Sequence, residues 1–317
     1  MKYGVDVKKV RGIQKWINER IGGMVKGHYG GIFRIGKELY AMHTDGVGTK
    51  VLVAQELNKF DTVGIDAVAM NANDLVCVGA RPLYGVDYLA VAEEDEWLIK
   101  EIIKGLLKGA EEAGIEIVGG ETAVMPDIIK GWQKPFDLAF TAFGKVENLI
   151  TGEKIKIGDV VVGFESSGLH SNGYTLARKV LDVNVWGEEM LKPTKIYVRP
   201  IMEIVEKNLA NGIAHITGGA YSKLLRLGKG FEINAIEPSE IFLEMYKKIG
   251  SWREMYRTFN MGIGMVVVAN ERNVDGIMKI SKKHKIKAHV IGKVIAKKAV
   301  YVNVGGERIR VDFEGIG

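Results

Sequence analysis

Three acidic side chains in the first half of the chain could together bind a divalent cation. They are Asp45 in HTDGVGTK (43–50), Asp74 in NANDL (71–75) and Glu121 in GGETAVMPD (119–127). Each stands beside a glycine or a predicted helix end, where a single acid is usually a cap or a solvated carboxylate. Magnesium, however, prefers carboxylate oxygens and bridges nucleotide phosphates. As a set, the acids therefore favour a magnesium–nucleotide site.

The stretch that follows Asp45 has the composition of a phosphate-binding turn. Gly46, Gly48, Thr49 and Lys50 offer backbone amides, a hydroxyl and a cation. The order Gly-Thr-Lys differs from that of a Walker A motif, and a tight turn with a solvated lysine is the alternative interpretation. An aspartate beside such a turn is explained if a metal ion, rather than lysine alone, holds the phosphates.

Two histidines in the second half of the chain lie at further candidate anion sites. His170 falls within SSGLHSNG (166–173), and His215 precedes TGGA (217–220). In both places a predicted strand is followed by small residues and a predicted helix, so free amides and the helix dipole would attract an anion. A lone histidine is more often structural. Two histidines at such loops favour contact with a substrate phosphate or proton transfer near neutral pH.

Two further features bear on the site and on the cellular compartment. The basic, glycine-rich segment VKGHYGGIF (25–33) is equally consistent with a lid, in which Lys26 reaches a phosphate, and with an unstructured leader. Cys77 is the single cysteine and lies on the apolar side of a predicted helix, so we expect a core residue. One cysteine excludes an intrachain disulfide and fits a reducing cytoplasm.

The elements that must position these residues alternate in type through the first half. ELYAMH (38–43) is predicted to be a strand that leads into the Asp45 turn. Apolar residues at helical spacing predict an amphipathic helix over 62–78, with Asp66 and Asn73 on its polar face. Further predicted elements are a buried strand at 82–91, a helix at 95–113 stopped by Gly114, a short buried strand at 115–118 with Glu121 on the loop after it, and a strand at 136–146.

The polar stretch TGEKIKIGD (151–159) is the predicted junction between a domain over 1–150 and a domain over 151–317. After it come predicted strands at 160–165, 212–216 and 289–294, and predicted helices from Tyr174 to about Leu181 and over 221–227. The fold class is therefore α/β (α+β) with two domains.

Composition limits the classes of partner. A chain of 317 residues is long enough for two domains, and 47% hydrophobic with 26% charged residues is typical of a soluble globular protein. It contains no run of apolar residues long enough to span a membrane. The net charge of +5 is spread along the chain without an aromatic–basic signature, which argues against nucleic acid and suits small anionic substrates.

Six blocks of this sequence, taken in order, resemble the signatures of the phosphoribosylformylglycinamidine cyclo-ligase family, also called aminoimidazole ribonucleotide (AIR) synthetases. They are HTDGVGTK, GIDAVAMNANDLVCVGARPL, VGGETAVMP, SSGLHSNGY, AHITGGA and YRTFNMGIGM, and they run from residue 43 to about residue 265. The predicted strand HVIGKV (289–294) is similar to the end of the family's chain. One block alone is weak support, whereas six in order are specific.

The resemblance implies an ATP-dependent ligase of purine biosynthesis. It would phosphorylate the formyl amide oxygen of formylglycinamidine ribonucleotide, close the imidazole ring and release ADP and phosphate. By the matching motifs, magnesium would be held by Asp45, Asp74 and Glu121, and the chemistry would be assisted by His170 and His215. ATP would be bound by Gly46, Gly48, Thr49, Lys50, Asn73, Thr122 and Lys26, and the substrate by Ser167, Ser171, Asn172, Thr217, Gly218 and Gly219. A potassium requirement stays open.

The resemblance also implies a homodimer in which two N-terminal mixed sheets form a shared barrel, with a C-terminal α/β sandwich domain facing the substrate. The N-terminal glycine loop is shorter and poorer in glycine here than is usual in the family, and this departure concerns Lys26 and His28.

Two alternatives remain open. One is a related small-molecule kinase such as thiamine-monophosphate kinase, and the other is a non-catalytic nucleotide-binding homologue. Selenophosphate synthetase would be expected to carry a reactive cysteine or selenocysteine in the N-terminal glycine loop, where this chain has neither. Magnesium-dependent ATP turnover that requires the amidine substrate separates the cyclo-ligase from both alternatives.

Overall fold

The computed structural model describes residues 12–13, 16–17, 19–25 and 28–312, so Lys26 lies outside the described residues. A first sheet is built from β1 (Gly31–Ile35), β2 (Glu38–Gly46), β3 (Ala80–Val91), β4 (Glu116–Val124) and β5 (Phe136–Val146). The strand order is β1-β2-β5-β3-β4. The neighbours are antiparallel except β3 and β4, which are parallel, so the sheet is mixed as predicted.

Helices pack on one face of this sheet. After the short α1 (Val51–Glu56), α2 (Val63–Cys77) lies on β2, β3 and β5, and α3 (Glu96–Ala113) packs against α2 and β4. The two long helices approach closely at glycines: a methyl group on Gly64 would lie 2.2 Å from the backbone nitrogen of Leu106. The predicted helix at 95–113 is confirmed, including its end at Gly114, which adopts the left-handed conformation of a helix C-cap.

The predicted helix over 62–78 is α2, and the structure buries its polar face as well as its apolar face. Every residue of α2 is buried. Its apolar side packs on the first sheet, and its opposite side contacts elements from the second half of the chain. The polar residues Asp66, Asn73 and Asp74 therefore lie inside the protein, where each needs a partner. Cys77, as predicted, is a buried free cysteine.

The expectation of buried strands at 82–91 and 115–118 is wrong in part. Tyr84, Val86 and Tyr88 of β3 are each at least 40% exposed, because they alternate onto the sheet face that carries no helix. The strand expected to end at residue 118 continues as β4 to Val124 and is exposed along most of its length. Glu121 thus lies within an exposed strand, not on a loop after a buried one.

A second sheet lies beyond residues 147–159. Its strands are β6 (Val160–Glu165), β7 (Gly212–His215), β8 (Gly230–Asn234), β9 (Ile263–Ala269), β10 (Ala288–Ile295), β11 (Val300–Val304) and β12 (Glu307–Arg310). Their order is β12-β11-β8-β10-β6-β9-β7, with only β8 and β11 parallel. The predicted strands at 160–165, 212–216 and 289–294 are all present.

The helices of the second half are α4 (Tyr174–Val180), α5 (Val183–Met190), α6 (Val198–Glu206), α7 (Glu240–Ile249), α8 (Trp252–Thr258) and α9 (Val274–Lys283). The helical segment expected over 221–227 is a 3₁₀ helix, Ala220–Leu227. No helix in the described part of the chain is long and apolar enough to cross a bilayer. The two sheets with α2 between them confirm the predicted two-domain α/β class.

Candidate active site

Asp74, near the end of α2, is held between two imidazole rings where the two halves of the chain meet. Its Oδ1 lies 2.7 Å from Nδ1 of His215, and its Oδ2 lies 3.3 Å from Nε2 of His43. Burial opposes ionisation of this carboxyl. The hydrogen bond from His215 and the charges of His43 and Lys223 nevertheless hold the pKa of Asp74 well below its usual range. Asp74 is therefore a carboxylate, and both of its oxygens face histidines.

His43 is a functional candidate that the sequence analysis did not assign. The Asn71 amide donates its Nδ2 hydrogens to the carbonyl oxygens of Ala67 (2.8 Å) and Asp45 (3.2 Å), which fixes its Oδ1 toward His43 Nδ1 at 2.9 Å. Both ring nitrogens of His43 then face acceptors, the Asn71 oxygen and the Asp74 carboxylate. The signal in the sequence was its place two residues before Asp45, on the same face of a strand.

His215 ends β7 and is completely buried. Burial lowers the pKa of His215, and the hydrogen bond and charge of Asp74 oppose that shift. Its Nε2 lies 3.5 Å from Nδ2 of Asn73. Asn73 in turn donates to the carbonyl of Lys195 at 2.9 Å and accepts from the amide of Tyr197 at 2.9 Å. Asn73 thus joins α2 to the segment before α6 and has no group left over for a phosphate.

His170 is brought near His215, with ring centroids 6.4 Å apart, but it is completely buried. Its Nε2 accepts from the backbone amide of Ser167 at 3.2 Å and faces that of Lys195 at 3.5 Å. Burial, reinforced by the neighbouring His215, Lys50 and Lys195, lowers the pKa of His170 well below its usual value. It is therefore a neutral ring that fixes the loop after β6.

The environment of Lys50 argues against the phosphate-binding role expected from the sequence. Its Nζ is fully buried and donates to Oδ1 of Asp66 (2.9 Å) and to the carbonyls of His170 (3.1 Å) and Lys192 (2.7 Å). These three bonds use all three hydrogens of the ammonium. Asp66 also accepts from the amide and hydroxyl of Thr194, both at 2.7 Å. Lys50 ties the first half of the chain to the second from within.

The three acids predicted to share a magnesium ion are not brought together in one chain. Strand pairing aligns Asp45 with Asp87 and Gly120 on the helix-covered face, whereas Glu121 is the next residue and lies on the opposite face beside Tyr88. Three strand spacings of about 4.8 Å separate the two ends, roughly 14 Å in all. Within the described residues no group of three His, Cys, Asp or Glu side chains could hold a metal ion.

The residues nearest to Asp45 are arranged at the end of β2. Asp45 is exposed and its Oδ1 accepts from the amide of Gly46 at 2.9 Å. Gly48 has a φ of 68°, which favours glycine, and starts a single 3₁₀ turn. Thr49 meets Thr175 of α4 through their hydroxyls at 3.3 Å. Thr122 lies away from this turn, on the exposed edge strand β4.

The loops after β6 and β7 lie against each other. Asn172 lies so near Gly218 that a methyl group there would be 3.0 Å from its Oδ1. Ser167 and Ser171 use their hydroxyls inside the fold, on the carbonyl of Pro193 at 2.5 Å and on the hydroxyl of Thr194 at 3.0 Å. These two serines therefore shape the loop instead of presenting their side chains to a ligand.

The 3₁₀ helix that follows the loop after β7 contributes a cation that the sequence analysis did not consider. Thr217 is almost fully buried, and Gly219 turns the chain with a φ of 84°. The turn returns Lys223 of the 3₁₀ helix to Thr217, whose hydroxyl accepts from its ammonium. Lys223 acts electrostatically on both Asp74 and His215. The candidate site thus combines an acid, two histidines and a lysine.

Comparisons with known proteins agree across both halves of the chain. The family described as AIR synthase related protein, N-terminal domain, matches residues 27–146, and its C-terminal counterpart matches residues 156–305. A phosphoribosylformylglycinamidine cyclo-ligase of Saccharolobus solfataricus is 45% identical over 95% of this chain and 93% of its own length. The enzyme of that name from Methanocaldococcus jannaschii is 48% identical over 84% of this chain and 81% of its own.

Solved structures share the fold at lower identity. A HypE–HypF complex gives a TM-score of 0.73 at 20% identity, covering 95% of this chain and 98% of that chain. AaThiL complexed with AMPPCP and TMP gives 0.72 at 17% identity, covering 97% of each chain. T. maritima PurL complexed with ADP gives 0.65 at 18% identity, covering 95% of this chain and 47% of that chain. These likenesses concern the fold alone.

Proposed function

This chain belongs to the phosphoribosylformylglycinamidine cyclo-ligase family, and on that premise we propose that it converts formylglycinamidine ribonucleotide and ATP into aminoimidazole ribonucleotide, ADP and phosphate. The support is an identity of 45–48% to enzymes of that name over most of the chain. Kinase-like and hydrogenase-maturation structures share the fold at only 17–20% identity. Thiamine-monophosphate kinase therefore stays the weaker alternative.

The reaction asks the protein to turn a poor leaving group into a good one. The formyl amide oxygen attacks the γ-phosphorus of ATP, ADP leaves, and the amide loses its N–H proton. The amidine nitrogen then attacks the formyl carbon, the oxygen departs as phosphate, and the attacking nitrogen loses its proton. A proton shift from the ring CH2 to the remaining imine nitrogen completes the aromatic ring. Holding the amidine nitrogen against that carbon supplies much of the rate. The site must therefore bind phosphates, align one molecule and move protons.

The observation that carries the proposal is the Asp74 carboxylate between His215 and His43, beside the loop after β7. Of the histidines considered, His43 is the one that reaches solvent, with a side chain 19% exposed, whereas His170 and His215 are fully buried. We therefore assign proton exchange with the substrate to His43. His215 orients Asp74, and His170 acts as a positioning residue for the loop after β6. This assignment replaces the pair of histidines expected from the sequence.

Of the three acids expected to bind magnesium, only Asp45 is retained here as a magnesium ligand. Asp45 fits the metal, because its carboxylate is exposed at the end of β2 and magnesium is commonly held by one or two carboxylates plus phosphates. Asp74 does not fit without release of its histidines, and Glu121 of the same chain lies on the wrong face of the sheet. When bound, magnesium would neutralise charge on the phosphates of ATP.

We also propose a homodimer that covers the open face of the first sheet. This face presents Met42, Tyr84, Val86 and Tyr88, each 40–44% exposed, beside the stacked rings of Tyr40 and Phe143. An apolar face of this kind is typical of an interface. Glu121 shares the face with Tyr88, so it would approach a nucleotide only across such an interface. Val86→Glu should shift the molar mass in solution from dimer to monomer, whereas Val185→Glu, an exposed site on α5, should not.

The function is tested with formylglycinamidine ribonucleotide, ATP, magnesium and potassium, with ADP and the aminoimidazole product followed in one reaction. His43→Gln should lower kcat by 10²–10⁴-fold, the usual contribution of a positioned proton-transfer group, with little change in ATP affinity. His289→Gln, which removes a partly exposed histidine paired with Glu165 on β6, is the matched control. ADP formation without ring product would instead favour a kinase, and thiamine monophosphate would then be the acceptor to try.

A further inference from the structure

Two cations of the 3₁₀ helix, Lys223 and Arg226, lack a carboxylate partner in the part of the chain that the structure describes. Neither residue takes part in an ion pair between described residues. The polar contact recorded for Lys223 is the neutral hydroxyl of Thr217. Asp74, the acid that acts most strongly on the charge of Lys223, is already engaged by His215 and His43. Lys223 is partly buried, where an unpaired cation is costly unless a ligand anion neutralises it, whereas Arg226 is exposed and can meet an incoming anion.

The same two cations flank one buried aromatic ring. Nζ of Lys223 lies 5.8 Å, and Cζ of Arg226 lies 5.2 Å, from the ring centroid of Tyr29. Tyr29 is 1% exposed, and its hydroxyl has no hydrogen-bond partner among the described residues. A buried hydroxyl without a partner is unusual in a folded protein. A ligand oxygen at this place would satisfy it.

Burial and charge agree with a site for an anion. Burial lowers the pKa of Lys223, and Asp74 and Asp45 oppose that shift, so the ammonium lies in the region of both acids. The Thr217 hydroxyl accepts from Lys223 and keeps its own hydrogen to donate. Gly219, which turns the chain with a φ of 84°, places no side chain of its own over the backbone of this loop. Two cations, a hydroxyl and free backbone suit a phosphate group, which carries close to two negative charges.

We propose that Lys223 and Arg226, with Thr217–Gly219 and the Tyr29 hydroxyl, form a phosphate-binding subsite of the active site. The proposal rests on the proposed function, in which both reactants carry phosphate. The occupant is either the 5′-phosphate of the ribonucleotide substrate or a phosphate of ATP. Lys50 is buried and its ammonium hydrogens are all used within the fold, so Lys223 is the lysine that would bind the phosphate.

The test compares Lys223→Met and Arg226→Met with Lys248→Met, a lysine at the end of α7 that is distant in sequence from this loop. Charged hydrogen bonds of this kind correspond to about a 10- to 100-fold change in affinity. If the subsite holds the substrate phosphate, KM for the ribonucleotide rises by that factor. KM for the riboside without the phosphate then stays the same, so the preference for the phosphorylated substrate falls. If it holds a phosphate of ATP, the Kd for ATP rises instead.

Two further measurements distinguish loss of the subsite from loss of the fold and from failure of the proposed function. Lys223→Arg and Arg226→Lys keep the charge and should retain most of the affinity, which distinguishes loss of charge from loss of fold. Binding of ATP and of inorganic phosphate by calorimetry needs no turnover, so it tests the subsite even if the wild-type protein forms no aminoimidazole product. Unchanged phosphate, substrate and ATP binding in folded Lys223→Met and Arg226→Met proteins would overturn the subsite.

Discussion

Replacing Lys50 with methionine should destabilise the protein strongly while leaving its affinity for nucleotide nearly unchanged. The substitution removes three hydrogen bonds from Nζ and leaves the Asp66 carboxylate buried without a cation. Breaking a buried ion pair from one side typically costs about 3–5 kcal/mol. We therefore expect the free energy of unfolding, measured by urea denaturation, to fall by about that amount.

Two further variants serve as controls for the stability loss of Lys50→Met. Lys59→Met removes an ion pair with Glu188 that also joins the two halves of the chain but is exposed, so it should cost less than about 1 kcal/mol. Adding Asp66→Asn to Lys50→Met removes the stranded charge, keeps an oxygen that accepts from Thr194, and should restore part of the stability. A tenfold or greater loss of ATP affinity, with the free energy of unfolding intact, would refute the structural role and return Lys50 to the phosphate.

Three further predictions follow from single sites. Asp45→Asn should weaken magnesium-dependent ATP binding, measured by calorimetry, without lowering the melting temperature; unchanged affinity would remove Asp45 from the metal site. His170 is neutral in the folded protein, so below the ordinary histidine pKa of 6.5 the unfolded state binds the extra proton and stability falls as pH falls. His170→Gln should make the loss of unfolding free energy between pH 6.5 and 5 shallower by up to about 1.4 kcal/mol per pH unit, and an unaltered slope would mean that the ring titrates normally. Gly64→Ala places a methyl 2.2 Å from the Leu106 nitrogen and should destabilise by more than about 2 kcal/mol, whereas Gly276→Ala, 3.2 Å from a side-chain carbon, should cost far less; equal effects would contradict the close helix contact.

The elements with strong local signals were predictable from the sequence. The helix α3 has its capping Asp95 and its terminal Gly114, and the strand β5 coincides with the predicted 136–146. The helix α2 was also predicted, but its burial was not. Its polar side is covered by residues such as Thr194 and Tyr197, more than a hundred positions further along the chain. Periodicity reports only that a face is polar, and it does not report whether water or protein covers that face.

The site was predictable in composition but not in assembly. Asp74 and His215 were both selected from their motifs, and the structure joins them at 2.7 Å. The partners of Lys50 and the sheet face of Glu121 are set by contacts between residues that are far apart in the sequence. A shift of register between Gly85 and Val86 of β3 sets the face that Glu121 occupies, and no local pattern encodes it. His43 could not be assigned from the sequence, because its position depends on Asn71, whose fixed amide turns the ring toward Asp74.

The most direct test of the proposed function is the stoichiometry of the full reaction. Purified protein would be given formylglycinamidine ribonucleotide, ATP, magnesium and potassium, and ADP and aminoimidazole ribonucleotide would be quantified in the same samples. The cyclo-ligase assignment predicts one aminoimidazole product for each ADP, and no ADP when the amidine substrate is left out. ATP binding without ADP formation, or ADP formation without the ring product in a folded preparation, would contradict it.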